Sequence, residues 1–285
     1  MDLNTETLID VTALKPLLGQ TDLLLVDCRF DLMQPDAGRQ AFEQLHLAGA
    51  VYADVNQDLS DQSLTGLGRH PLPTPAHFAE TLSRLGFRPE QAVVVYDQGN
   101  GAYAARLWWM LRWIGHRQVA VLNGGFQAAQ KAGLPMTSGA VSVVPSQVLD
   151  LRGTTSSVLD YLALDQARQD PSWLLIDARG AERYRGDVEP IDPVAGHIPG
   201  AINRPFTQNL DSEQRFLPPA ELRMQFQTLL GARSAEQVVH QCGSGITACH
   251  NLLAMTHAGL VGSKLFAPSW SGWISDPSRP ISRGD

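Results

Sequence analysis

The residues best suited to covalent chemistry stand in one run, Cys242-Gly243-Ser244-Gly245-Ile246-Thr247-Ala248. A cysteine attacks and carries groups as its thiolate, so its surroundings decide whether it is a nucleophile. Gly243 and Gly245 let the backbone curl without a Cβ clash, and a curled run of peptides turns successive N–H groups inward as an anion-binding nest. The stretch that follows has helical spacing, so the start of a helix adds unpaired donors and a partial positive charge. Both effects favour thiolate over thiol at Cys242 and would equally stabilise an anionic persulfide. The hydroxyls of Ser244 and Thr247 can hydrogen-bond a bound molecule, and the backbone of Gly243, Gly245 and Ile246 lines the turn. The plain alternative is a structural cysteine, because free Cys often packs as a small hydrophobe. The Gly-Ser-Gly turn argues for the nucleophile. Cys28 ends a strand with no Gly-rich turn after it, and Cys249 falls inside the helix, so packing is the expectation for both.

The elements that position this turn are a strand before it and a helix after it. Gln237–Gln241 is a short β-branched run that predicts a buried strand, and Thr247–Ala258 is spaced as a helix. Cys242 would then sit at the carboxyl end of a strand, where open α/β sheets place their ligands. The same unit occurs earlier in the chain. Leu24-Leu25-Val26-Asp27-Cys28-Arg29 matches Leu174-Leu175-Ile176-Asp177-Ala178-Arg179, and His46-Leu47-Ala48-Gly49-Ala50 matches His197-Ile198-Pro199-Gly200-Ala201. Val93–Asp97 matches Val238–Cys242, and Gly125-Phe126 falls where Ser269-Trp270 falls. Four matches in one order, at slowly drifting separations, predict two similar domains.

Further strands are expected at Leu23–Val26, Val93–Tyr96, Val119–Leu122 and Leu174–Asp177. Helices are expected at Ala76–Leu85, Ala102–Ile114 and Pro219–Leu230. Alternating strands and helices predict an α/β fold with a parallel sheet in each half. The stretch 139–153 lacks helical periodicity and separates a first domain, 1–138, from a second, 154–285, as an extended linker.

Bulk properties narrow the classes. In 285 residues, 44% are hydrophobic and 18% charged, the balance of a globular chain. The net charge is -7 with no Lys/Arg-rich run, so no nucleic-acid footprint is expected. The longest apolar stretch, Leu107–Ile114, is broken by Arg112 and too short to span a bilayer. Met1–Gln20 has no leader pattern, and three cysteines make no disulfide framework, so a cytoplasmic setting is expected. No metal site is expected, because Cys249-His250 has no second spaced pair. No cofactor is expected either, since Gly99-Asn100-Gly101 has Ala104 where a dinucleotide fingerprint needs glycine.

The sequence resembles the tandem-domain rhodanese superfamily across nearly its whole length. The resemblance is carried by the Cys242–Ala248 loop, His197–Asn203, Asp177–Arg179 and Pro268-Ser269-Trp270. The loop itself is similar to that of the 3-mercaptopyruvate sulfurtransferases, where Val usually stands in place of Ile246, whereas thiosulfate-preferring members follow the cysteine with Arg and Lys. The resemblance implies two domains, each a parallel sheet flanked by helices. It also implies an inactive first domain, since Asp97 stands where Cys242 stands in the second. It assigns Arg183 to binding the donor's anionic group. A second donor-binding arginine of the mercaptopyruvate enzymes has no counterpart in Val188–Pro193. A proposed relay of a histidine and an aspartate toward the loop serine maps to His70 and Ser244, with Asn56 at the aspartate position and Asp54 and Asp58 beside it. His70 could instead serve the turn before Pro71. His197, matched by His46 in the other half, is expected to hold a loop, and Trp270 and Trp273 to pack beside the active turn.

The implied reaction passes a sulfane sulfur from a small anionic donor, 3-mercaptopyruvate or alternatively thiosulfate, through a Cys242 persulfide to a thiol, cyanide or thioredoxin-like acceptor. A cysteine phosphatase needs an arginine six positions after its cysteine, and Ala248 stands there. A non-catalytic sulfur-sensing module is disfavoured by the intact cysteine loop.

Overall fold

The computed structural model describes residues 7–151, 154 and 157–285. Residues 1–6 of the segment searched for a leader, and residues 152 and 153 at the end of the expected linker, lie outside the described residues. The chain forms two compact units, one of Met1–Asp61, Pro73–Thr155 and Ser212–Phe216, the other of Gln62–Leu72, Ser156–Asp211 and Leu217–Asp285. The expected halves were contiguous in sequence, whereas each unit also takes in one segment from the other's stretch of chain. Gln62–Leu72 contains no helix or strand, so periodicity carries no signal for its placement.

In the first unit the elements are β1 (Leu8–Ile9), α1 (Val11–Leu14), β2 (Leu23–Asp27), α2 (Ala37–Gln44), β3 (His46–Leu47), β4 (Ala50–Tyr52), α3 (Pro75–Arg84), β5 (Ala92–Tyr96), α4 (Ala104–Trp113), β6 (Val119–Leu122), α5 (Gly125–Lys131) and β7 (Met136–Thr137). Five strands form a parallel sheet in the order β1-β6-β5-β2-β4, and β3 pairs antiparallel with β7. β5 is buried throughout, as a central parallel strand must be when both faces are covered. One face, with Leu25, Val94 and Ala120, packs against Leu14, Phe42 and Phe126 of α1, α2 and α5. α4 packs on β5 and β6.

The second unit holds α6 (Tyr161–Ala167), β8 (Leu174–Asp177), α7 (Ala181–Arg185), β9 (Ala201–Asn203), α8 (Pro219–Leu230), β10 (Val238–Gln241), α9 (Thr247–His257), β11 (Lys264–Leu265) and α10 (Ser269–Trp273). Its sheet is also parallel, in the order β11-β10-β8-β9. Leu175, Val239 and Ala201 meet Leu164, Tyr184, Trp270 and Trp273 on one face, while α9 packs on β10 and β11. Each expected strand and helix is present within one or two residues of its expected ends. Gln237 differs in kind, because Ala235–Gln237 is a 3-10 turn closed by a Ser234/Gln237 capping box.

The stretch after β7, expected as a linker, has no regular element over 139–151 and falls within the first unit. Gly139 N–H donates to Glu43 O at 2.7 Å, and Ser146 exchanges bonds with Ser83 through both main chain and hydroxyl. No helix among the described residues is long and apolar enough to cross a membrane.

Candidate active site

The repeat is reproduced bond by bond. In the first unit, Arg29 closes on Asp27 through its main-chain N–H at 2.9 Å and its guanidinium, then reaches Leu45 O. In the second, Arg179 does the same to Asp177 and reaches Gly196 O. His46 Nδ1 meets Phe42 O while its ring stacks on Phe42, and His197 Nδ1 meets Tyr184 O while stacking on Tyr184. Each histidine thus ties the chain that follows, strand β3 for His46 and a loop for His197, to the helix before it. Trp270 and Trp273 are buried, and their indole N–H groups are spent on Val194 O and Pro280 O.

The correspondence extends to the turn itself. Phe126 and Gln127 N–H bind the carbonyls of Asp97 and Gln98, just as Trp270 and Ser271 N–H bind those of Cys242 and Gly243. In the first unit the turn closes on its own carboxylate. Asp97 accepts N–H bonds from Gly99, Gly101, Tyr103 and Ala104 at 2.9–3.2 Å. This is a filled anion nest at the start of α4. In the second unit the same place holds Cys242, whose Sγ accepts the Gly245 N–H at 3.1 Å. Cys242 is 1% exposed, so nearby dipoles act on the sulfur with little screening.

Two backbone positions make this geometry available. Gly245 has φ +80°, and a Cβ there would run into the main-chain carbonyl of Ala267. Ser269 also lies in the left-handed region, at φ 54°, where its repeat partner Gly125 has φ 55°. A non-glycine residue there carries strain, and Ser269 repays it with two bonds. Its Oγ accepts the Cys242 N–H at 3.1 Å and donates to Phe266 O at 3.0 Å. The sequence marks Ser269 only within a motif; in the structure its hydroxyl anchors the main-chain N–H of Cys242.

Around the turn the structure brings together most of the expected residues. His70, in the Gln62–Leu72 segment, has Nδ1 2.7 Å from Ser244 Oγ, and both residues are buried. Thr247 is the first residue of α9 and half-buried; Ile246 precedes it as a buried residue. Arg183 reaches the loop, with Nη1 and Nη2 each 3.6 Å from where a Cβ on Gly243 would stand. A second guanidinium, which sequence reasoning missed, is closer: Arg69 Nη2 lies 3.1 Å from the same point. A Cβ at 243 would meet Arg183 in ordinary contact and press on Arg69 by a few tenths of an ångström. The signal for Arg69 was its place beside His70, but the second arginine was sought in Val188–Pro193, where Asp192 stands instead.

Both guanidiniums are held by carboxylates. Arg183 donates through Nε and Nη2 to Glu189 and through Nη2 to Asp192 at 3.0 Å, and Arg69 Nη1 pairs with Asp192. Arg69 Nε is buried without a partner among the described residues. Burial raises Glu189, but bonds from Arg183 and the amides of Asp192 and Ile191 bring it below the usual carboxylate range. Around Asn56, which stands at the relay's aspartate position, Asp54 accepts the N–H groups of Asn56 and Gln57, and Asp58 pairs with Arg84. Burial, then the charges of Asp27, Asp97 and Asp58, pushes the Cys28 thiol well up, and Cys249 Sγ donates to Gly245 O.

A parallel sheet repeated twice, with a cysteine turn between strand and helix in one copy, defines a rhodanese-type protein. The profile of the Rhodanese-like domain matches residues 10–132 and 161–276, and the chain belongs to the rhodanese family. Over 287 residues it is 46% identical to the "Probable 3-mercaptopyruvate sulfurtransferase" of Pseudomonas aeruginosa, covering 99% of this chain and 100% of that one. It is 34% identical over 253 residues to the thiosulfate sulfurtransferase of Cricetulus griseus, covering 86% of this chain and 84% of that one. Among solved structures, the 3-mercaptopyruvate sulfurtransferase from Leishmania major superposes with a TM-score of 0.81 at 33% identity, covering 96% of this chain and 76% of that one.

Proposed function

We propose that this chain is a sulfurtransferase that moves a sulfane sulfur from 3-mercaptopyruvate to a thiol or cyanide acceptor through a Cys242 persulfide. The observation that carries it is the position of Cys242: a strand end, an amide on Sγ, a serine–histidine pair beside it and two guanidiniums above the loop. The Cys242 thiolate attacks the donor's sulfur. The sulfur–carbon bond breaks, and its electron pair leaves on pyruvate as an enolate. The enolate takes one proton, which Ser244 delivers with His70 behind it. The outer sulfur of the persulfide then bonds to an attacking thiolate or cyanide, and Cys242 leaves as thiolate. Arg183 and Arg69 hold the donor's carboxylate, backbone donors of Gly243, Gly245 and Ile246 face the developing charge, and Thr247 orients the donor. A reduced thioredoxin-like protein is a further acceptor of the right chemistry, and three cysteines outside disulfides suit a reducing cytoplasm. The first unit, with Asp97 in its nest, carries no sulfur.

A thiosulfate donor is the second reading, favoured by the presence of two guanidiniums rather than one. The test measures kcat/KM with both donors and intact mass after donor treatment. Cys242→Ser is expected to lose turnover with both and to gain no sulfur. Arg183→Ala is expected to raise KM about tenfold or more, the loss of one charge-assisted pair. A Cys242→Ser protein that still turns over donor would remove the proposal.

A further inference from the structure

The two guanidiniums above Gly243 do not present two free charges. Asp192 spans them, one carboxylate oxygen on Arg69 Nη1 and the other 3.0 Å from Arg183 Nη2, with its side chain 2% exposed. Glu189 occupies the other edge of Arg183 and reaches Arg179, which also pairs with Asp177. Three guanidiniums, of Arg69, Arg179 and Arg183, therefore face three carboxylates, of Asp177, Glu189 and Asp192. The set carries no net charge.

We propose that Asp192 determines the charge class of donor this site accepts: by spanning Arg69 and Arg183 it lowers the positive potential above Gly243, so that the seat suits a monoanionic donor and disfavours a dianionic one. The proposal rests on the sulfurtransferase reading and names its donor class. A seat of two unshared arginines would reward a second negative charge on the donor. A seat that already holds a carboxylate does so less, because Coulomb energy is linear in the donor's charge. Placing this carboxylate has a cost: burial raises Asp192 above the usual carboxylate range, with Arg69 lowering it, Glu189 raising it and Arg183 lowering it again. A residue kept under that cost only to prop two arginines would show the opposite effect on removal.

The test is Asp192→Asn, which keeps the shape and removes the charge, with Asp192→Ser as a second uncharged variant and thermal unfolding to confirm folding. In kinetics, kcat/KM is expected to rise about tenfold for 3-mercaptopyruvate and by about the square of that factor for thiosulfate, since a dianion gains twice the free energy. Calorimetric binding of pyruvate and thiosulfate in a Cys242→Ser background should show the same pattern. That arm needs no sulfur transfer, so a binding shift there, together with no turnover of either donor by the protein that keeps Cys242, would overturn the sulfurtransferase reading and leave the role of Asp192 standing. In the wild type, thiosulfate binding should change little between about 20 and 200 mM salt, as expected for a neutral seat. Weaker binding in both variants, an equal gain for the two anions, or a steep wild-type salt dependence would overturn the proposal.

Discussion

Two glycines two residues apart in the cysteine turn should respond in opposite ways to the same added methyl group. At Gly243 the backbone is not left-handed, and the nearest atoms to an added Cβ are the tips of flexible side chains, Arg69 Nη2 at 3.1 Å and Arg183 at 3.6 Å. Gly243→Ala therefore needs only a shift of a few tenths of an ångström by Arg69, with Arg183 left in ordinary contact. Removing a glycine from the unfolded chain favours folding by about 0.4–1 kcal/mol, so the unfolding temperature should stay within about 3 °C of wild type. The displaced guanidinium should weaken donor binding by about 1.4 kcal/mol, a tenfold rise in KM, within the range for a strained charge-assisted bond. At Gly245, φ +80° costs an alanine about 1–2 kcal/mol, and the Cβ meets the main-chain carbonyl of Ala267, which cannot swing aside. With that overlap the total is about 3 kcal/mol, or a fall of about 10 °C. The same change moves the N–H that serves Cys242 Sγ, so kcat should fall about 100-fold. Differential scanning fluorimetry and steady-state kinetics on the two variants decide the matter. If Gly243→Ala leaves KM unchanged, or Gly245→Ala melts like wild type, the assignment of these contacts is wrong.

Two further outcomes are expected. His70→Ala should lower kcat with 3-mercaptopyruvate about 10- to 100-fold while sparing thiosulfate, whose sulfite leaving group needs no proton; equal losses with both donors would show that His70 only shapes the loop. His240 is buried on β10 against Met255, and burial holds its ring down to about 3 from 6.5. Between those values the unfolded chain binds the proton and the folded one does not, so stability falls on acidification by about 1.4 kcal/mol per pH unit. In urea titrations at about pH 6 and pH 4, His240→Leu should remove about one proton's worth of that slope, and a slope equal to wild type would refute it.

Much of the framework was legible in the order of residues because its causes are local. Alternating short apolar runs and helical spacings announced the parallel sheets, and the two copies confirmed each other. The Cys242–Ala248 turn was visible because a strand end, two glycines and a helix start are contiguous. The short strands β3, β7 and β11 were not, since two residues carry no period. Nor was the exchange of Gln62–Leu72 into the second unit, since a segment without regular structure is placed by its contacts alone.

What stands around the sulfur was decided by folding. His70 meets Ser244 across 174 positions, and Arg69 meets Asp192 across 123. No spacing rule reaches that far, because such pairs form only when sheets and loops have taken their places. The chain order marks which atom can react. The packed chain decides that a serine backed by histidine stands beside it, that Ser269 bends into a strained conformation to hold its peptide, and that the arginines above it are already shared with a carboxylate.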